Sequence, residues 1–253
     1  MLRKGERLEP LGNGVEIIVS DEFHFTTDTI LLSDFAKSRK SDKVVDLCTG
    51  CGIIPLLMSR ENCPREIHGV EILSQGADMM SRSVEHNSLK ENIFPLCADL
   101  KELKGKLPFG YFTLVTCNPP YKLSGAGIKS TGDEALTARH EEMCTLEDVI
   151  SVGAKLLQFS GRLCICQRPE RLTDALLLMR KHDVEPKRLR LVQGKLSKAP
   201  KLFLLEGKRG SKQGFLNVEP TLIIENEGGS FTEEMLRIYG SYKDNAGRDT
   251  NGV

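Results

Sequence analysis

Asn118-Pro119-Pro120-Tyr121 closes the apolar run Leu114 to Cys117 with four residues of unusual chemistry. Neither proline has an N–H to donate, so the pair ends a strand at the carboxyl edge of a sheet. The Asn118 side chain and the carbonyls beside it are then left facing a cleft. An amide oxygen next to the Pro119 carbonyl supplies two acceptors, which match the two donors of a planar exocyclic amino group. Tyr121 adds a ring able to stack on a flat base. On this reading the stretch is a clamp for a planar –NH2. The plainer reading is that Pro-Pro ends a strand and turns the chain.

A second group of residues lies upstream. Lys43 to Leu47 reads as a buried parallel strand running into the tight turn Cys48-Thr49-Gly50-Cys51-Gly52, with a helix from about Ile53 to Arg60. Glycines serve where the backbone takes positive φ or where a ligand must lie against it. The dinucleotide fingerprint would need a third glycine, and a carboxylate before the turn, Asp46, suits an amine or sulfonium better than a phosphate. The next strand, Glu66 to Glu71, ends in an acid about 20 residues after the glycines, where a carboxylate can accept both hydroxyls of a ribose. A third, Ile93 to Ala98, ends at Asp99, within reach of a base. Asp46, Glu71 and Asp99 are thus three acids at successive strand ends.

The elements that must position these groups follow from periodicity. Val15 to Val19 pairs with an earlier strand across Gly12-Asn13-Gly14. Thr26, Thr27 and Asp28 cap a helix whose apolar face is Ile30, Leu31, Leu32, Phe35 and Ala36, packed beside the main sheet. Ala77, Met80 and Val84 mark another helix. Tyr111 to Cys117 is the strand that delivers the clamp. Thr145 opens a helix with a near capping box and an apolar face of Leu146, Val149, Ile150, Leu156 and Leu157. Gly161 to Gln167 is a fifth strand, Pro169 starts a further helix, and Leu189 to Val192 with Leu202 to Leu205 form a final antiparallel pair. The fold class is α/β: a doubly wound, mostly parallel sheet of seven strands. Residues 1–40 form a hairpin-and-helix extension, 41–226 the main domain, and 227–253 a helix around Met235 to Tyr239 with a flexible tail.

Lys+Arg and Asp+Glu are 35 each, so the net charge is zero and any polyanion-binding patch must be local. Residues 187–213 hold nine basic side chains against Glu206 alone, about +8, which suggests a phosphate-tracking surface. Edge-strand lysines that block aggregation are the alternative. No signal-peptide core or membrane-length apolar run is present, so a soluble, cytoplasmic protein is expected. The eight cysteines fall mostly in apolar runs and read as small hydrophobes of a reducing compartment. Cys164 and Cys166 are expected to face opposite sides of a strand, Cys48 and Cys51 alone cannot complete a tetrahedral site, and no metal is expected. His140 lies in the polar stretch Lys122 to Glu142; a loop-anchoring role is favoured over general base, since an aniline-like amine loses its proton only after attack.

These residues together resemble the class I S-adenosylmethionine-dependent methyltransferases, which have a Rossmann-like fold. More narrowly they resemble the bacterial family that methylates N6 of adenine 37 in the valine tRNA. The resemblance runs from about Leu8 to Gly210, through Thr27 to Leu32, Asp46 to Gly52, the Asn118 clamp, Ala138-Arg139-His140-Glu141 and Arg168 to Arg171. It implies that Thr27, Asp28, Asp46, Cys48, Thr49, Gly50, Gly52, Glu71, Asp99 and Asn118 bind S-adenosyl-L-methionine. Asp46 and the glycines would take the methionine end, Glu71 the ribose and Asp99 the adenine. Asn118, Pro119, Pro120 and Tyr121 would hold the target base for direct in-line transfer. A tRNA partner is implied for Lys122, Lys129, Arg139, Lys195, Lys198, Lys208 and Arg209, with the protein a monomer or weak dimer. Thr29 departs from the family, where a small alanine is expected. Two rivals stay open: a methyltransferase acting on a glutamine amide of a release factor, and a catalytically silent methyltransferase fold that binds RNA.

Overall fold

A computed structural model describes residues 2–119 and 144–240. The chain opens with a hairpin, β1 (Glu6–Gly12) and β2 (Val15–Ser20), joined through Asn13 and Gly14 at φ 52° and 78°. Positive φ at both loop residues gives a turn whose twist matches its strands, which is what Asn-Gly favours. Then follow α1 (Thr27–Ala36), β3 (Lys43–Leu47), α2 (Ile53–Asn62), β4 (Glu66–Glu71), α3 (Ser74–His86), β5 (Ile93–Cys97) and β6 (Phe112–Cys117). After residue 143 come α4 (Leu146–Leu156), β7 (Leu157–Gln167), α5 (Leu172–Lys181), β8 (Val184–Gln193), β9 (Leu202–Arg209), β10 (Asn217–Val218), β11 (Leu222–Ile223) and α6 (Glu233–Tyr239).

The main sheet has the order β10-β8-β9-β7-β6-β3-β4-β5, with β11 also on β8. The seven expected strands are all present, and β10 and β11, two residues each, extend the β8 edge. Pairing is parallel except that β9 runs against both β7 and β8. The chain winds outward through β3, β4 and β5, then returns to place β6 on the other side of β3. That reversal opens a crevice at the carboxyl ends of β3 and β6, the usual ligand position in open α/β sheets.

Alternate residues of the strands feed two cores. Val44, Ile67, Leu114 and Cys164 pack under α1, α2 and α3, with Leu31, Leu32, Ile54, Met79 and Met80 fully buried or nearly so. Val45, Val115, Leu163 and Ile165 face α4 and α5 through Val149, Ile150, Ala175 and Met179. Full burial of one such side chain is worth about 1.5–3 kcal/mol. The hairpin sits on α3: Ser83 Oγ accepts the Ile18 N–H at 2.9 Å, Asn87 Oδ1 accepts the Glu16 N–H at 2.9 Å, and Arg82 grips the Glu6 carboxylate at 2.6 and 2.7 Å.

Four local expectations change. Cys164 and Cys166 lie in the same core, because side chains two apart in a strand share a face. Leu157 begins β7 instead of ending α4, and β7 bulges there: Phe112 pairs with Leu157, but Leu114 pairs with Arg162. Thr26 holds the extended N-cap conformation of α1 without a side-chain cap bond. Pro169 starts a single 3-10 turn, Pro169–Arg171, and the α-helix follows it. Thr145 does better than expected, forming a full capping box with Asp148.

Candidate active site

The turn after β3 is left-handed at Cys48, Gly50 and Gly52, with φ of 56°, 59° and 89°. At Gly52 glycine is also required by space, since a Cβ would lie 2.4 Å from Met80 Cγ. The same Met80 fills the space beside Gly69, where a Cβ would meet its Cε at 2.3 Å. One thioether of α3 therefore wedges under both the turn and β4.

Two buried carboxylates fix the turn's shape. Asp46 is 1% exposed and accepts the Thr49 hydroxyl at 2.6 Å and the Thr116 hydroxyl at 2.7 Å. Burial pushes its pKa up to about 7, against the two hydroxyl bonds and with help from the nearby Glu71 charge. Glu71, also 1% exposed, accepts the backbone N–H of Gly50 and of Leu73, both at 2.9 Å. It ties the turn to the start of α3.

Beside the turn is an open cleft of about 320 Å³ lined by Cys48, Val70, Glu71, Ile72, Ala98, Asp99, Leu100 and Cys144. Its walls are apolar apart from two carboxylates. Asp99 caps a 3-10 turn through the Lys101 N–H at 2.8 Å. The Cys48 thiol contacts those of Cys117 and Cys144, and its pKa lies well above the ordinary value, first through the Cys117 contact. Burial likewise pushes Cys117 up to about 11. These thiols stay protonated at neutral pH and are poor nucleophiles.

Asn118 follows directly on Cys117, which pairs with Leu47, so it stands next to Cys48 at the mouth of the crevice. Its amide is held from two sides: Nδ2 donates to Thr29 Oγ1 at 3.2 Å, and Oδ1 accepts the Cys166 thiol. Pro119 is buried. Pro120, Tyr121, Lys122, Lys129, Arg139 and His140 lie outside the described residues.

Asp46, Cys48, Thr49, Gly50, Gly52, Glu71 and Asp99 are thus gathered at the ends of β3, β4 and β5, with Asn118 adjoining. Thr27 and Asp28 are set apart from the cleft lining. Thr27 Oγ1 is 3.2 Å from the Tyr239 hydroxyl, and Asp28 faces Arg168 and Lys201, whose charges only partly offset the burial that raises its pKa. Four residues escaped the sequence reading: Thr29 and Cys166, which hold Asn118, Thr116, which bonds Asp46, and Cys144 in the cleft wall. Thr29 alone carried a signal, as the position that departs from its family.

The basic segment does not form one surface. Because β8 and β9 make a hairpin, Lys195, Lys198 and Lys201 stand on the 194–201 connection at the carboxyl edge, whereas Lys208 pairs with Arg162 and Arg209 with Val184. Lys208 is four strand positions, about 13 Å, below Asn118, and the structure does not bring it or Arg209 to the crevice. Arg188 and Arg190 are consumed internally, by Glu206 and Glu219 at 3.3 and 3.4 Å and by Glu234 at 2.7 Å.

A family model described as the methyltransferase small domain matches residues 20–180. The chain belongs to that family. This methyltransferase is 26% identical over 221 residues to the tRNA1(Val) (adenine(37)-N6)-methyltransferase of Porphyromonas gingivalis, covering 84% of this chain and 85% of the relative. The Photobacterium profundum protein of the same name is 25% identical over 138 residues, 54% of this chain and 57% of the relative. Among solved structures, a predicted O-methyltransferase from Agrobacterium tumefaciens superposes with a TM-score of 0.67 at 19% identity, over 85% of this chain and 97% of that one. The tRNA m1G37 methyltransferase of M. jannaschii gives 0.59 at 16% identity, over 83% and 59%. These two establish the fold. Among the described residues no helix is long and apolar enough to cross a membrane.

Proposed function

We propose that this methyltransferase transfers a methyl group from S-adenosyl-L-methionine to N6 of an adenine in tRNA, adenine 37 of the valine tRNA being the acceptor its curated relatives name. The observation that carries the reading is the Asn118 amide, held by Thr29 and Cys166 beside the glycine turn at the mouth of the crevice. The cleft fits the cofactor's nucleoside: apolar Ile72 and Leu100 suit the faces of a base, while Glu71 and Asp99 are acceptors for ribose hydroxyls and an exocyclic amine. Gly50 and Gly52 leave the turn open to the methionine end, and Asp46 beneath them supplies negative charge to it. When bound, the cofactor provides an electrophilic methyl on a sulfonium.

The protein's own task is alignment. Asn118 Oδ1 and the Pro119 carbonyl accept the two N6 hydrogens, which draws the nitrogen lone pair out of ring conjugation and aims it at the methyl group. Orientation of this kind can supply several kcal/mol of barrier reduction. The adenine must leave its stack, which is cheapest in a single-stranded loop. Lys195, Lys198 and Lys201 serve as phosphate contacts at this rim, and Lys122, Lys129 and Arg139 are further candidates from their sequence. Transfer of labelled methyl groups to total tRNA, compared with total protein, tests the proposal. Label in tRNA that maps to N6-methyladenine is expected; label in protein at glutamine, with none in tRNA, would replace this reading with that of a glutamine methyltransferase.

A further inference from the structure

We propose that the amino edge of the sheet, opposite the crevice, is a second RNA-binding face that stacks unpaired bases on Phe159 and Phe215. Phe159 is 74% exposed at the tip of the β7 bulge, its ring lying against Gly210, where a Cβ would be 2.5 Å from the ring. Phe215 is 94% exposed and sits at φ 60°, a left-handed conformation that a bulky residue adopts only against strain. Neither ring contributes to a core, so the fold does not explain them.

The charge around them singles out the partner. Lys208, Arg209 and Lys212 lie on the end of β9 and the chain after it, and Lys187 on β8 reaches over to the carbonyls of Lys212 and Gly214 at 2.6 and 2.7 Å. Arg209 donates to the Leu157 carbonyl, directly below the bulge. Neutral carbonyls hold Lys187 and Arg209 in place, unlike the carboxylates that neutralise Arg188 and Arg190. Of the acids nearby, Glu185 pairs with Arg180 at 2.9 Å, accepts the Gly214 N–H at 2.9 Å and lies within electrostatic range of Lys187, and Asp183 stands at the turn before β8. Fixed cations interleaved with exposed aromatic rings suit a single-stranded polyanion carrying flat bases, recognised without sequence preference. The inference extends the RNA reading to a second face but needs no methylatable base there.

Binding of a fluorescein-labelled oligouridylate of about 16 nucleotides to the full chain is the test, because it offers no amino group to the crevice. The wild-type protein is expected to bind with an affinity that falls steeply with salt. Phe159→Ala with Phe215→Ala should weaken binding about tenfold or more while leaving cofactor binding unchanged, and Lys208→Glu with Lys212→Glu should flatten the salt slope. Unchanged oligouridylate binding in both double variants would overturn the proposal. So would loss of self-association with RNA binding intact, which would make this edge a contact between copies. Methyl transfer to tRNA reads the crevice separately, so either conclusion can fail without the other.

Discussion

Two buried charge clusters of one sheet are given different partners. At the carboxyl edge Glu71 is buried in the cleft wall and bound by two amide N–H groups, and Asp46 beneath the turn is bound by two hydroxyls, with burial raising its pKa to about 7. Below α1, Arg162 is clasped by Asp42 at 3.2 Å and Glu206 at 3.3 Å, and Arg188 shares Glu206, so within this cluster charge is cancelled. Dipolar partners preserve a charge for a ligand, whereas ionic partners spend it on the fold. The same protein thus separates a reactive rim from a structural foundation by the kind of neighbour each ion is given.

Substitutions can test that division, starting with the largest effect. Arg162→Met should destabilise the fold by about 3–5 kcal/mol, because the buried Asp42 loses its guanidinium partner and Glu206 is left with Arg188 alone. Urea unfolding would register the loss, and cofactor affinity of the folded protein should be unchanged; a loss under 1 kcal/mol would mean the network is not structural. Asn118→Ala should lower methyl transfer by about 100-fold or more with cofactor affinity nearly unaltered. If both fall together, the amide is part of the foundation and the comparison breaks. Thr29→Val removes the acceptor that orients Asn118, so kcat should drop by about tenfold with KM little changed, while Thr29→Ser restores it.

The mildest effect concerns pH. The Asp46 carboxyl is raised to about 7 from an ordinary value of 3.8, so the folded state holds this proton more tightly than the unfolded chain. Its contribution is therefore fully present below pH 3.8 and is lost as pH climbs towards 7. Asp46→Asn should flatten that part of the stability profile, measured by thermal unfolding across pH 4 to 8. For a cationic cofactor the dependence is reversed: affinity should rise through pH 7 in the wild type and not in the variant.

Much of this architecture was legible in the residues. Parallel strands covered on both faces read as unbroken apolar runs, and glycines with an acid at each end marked where β3, β4 and β5 stop. Less could be read where the third dimension reorders the chain. Lys198 and Lys208 fall in one basic stretch of the sequence, but the β8–β9 hairpin sends them to opposite edges. Leu157 continues the helical pattern of Leu146 to Leu156, so the bulge that lifts Phe159 left no trace in periodicity. β10 and β11 are too short to have a period. The Asn118 amide was recognisable, but not its supports, since Thr29 and Cys166 lie 89 and 48 residues away along the chain.

The position of Met80 has a mechanical corollary. With its side chain lodged where both Gly52 and Gly69 lack one, α3 is geared to the turn, and the hairpin rests on α3 through Ser83 and Asn87. The hairpin, residues 6–20, therefore acts as a brace behind the pocket: pressure on that outer ribbon reaches the glycine turn through α3, by the Met80 side chain and the Glu71 carboxylate.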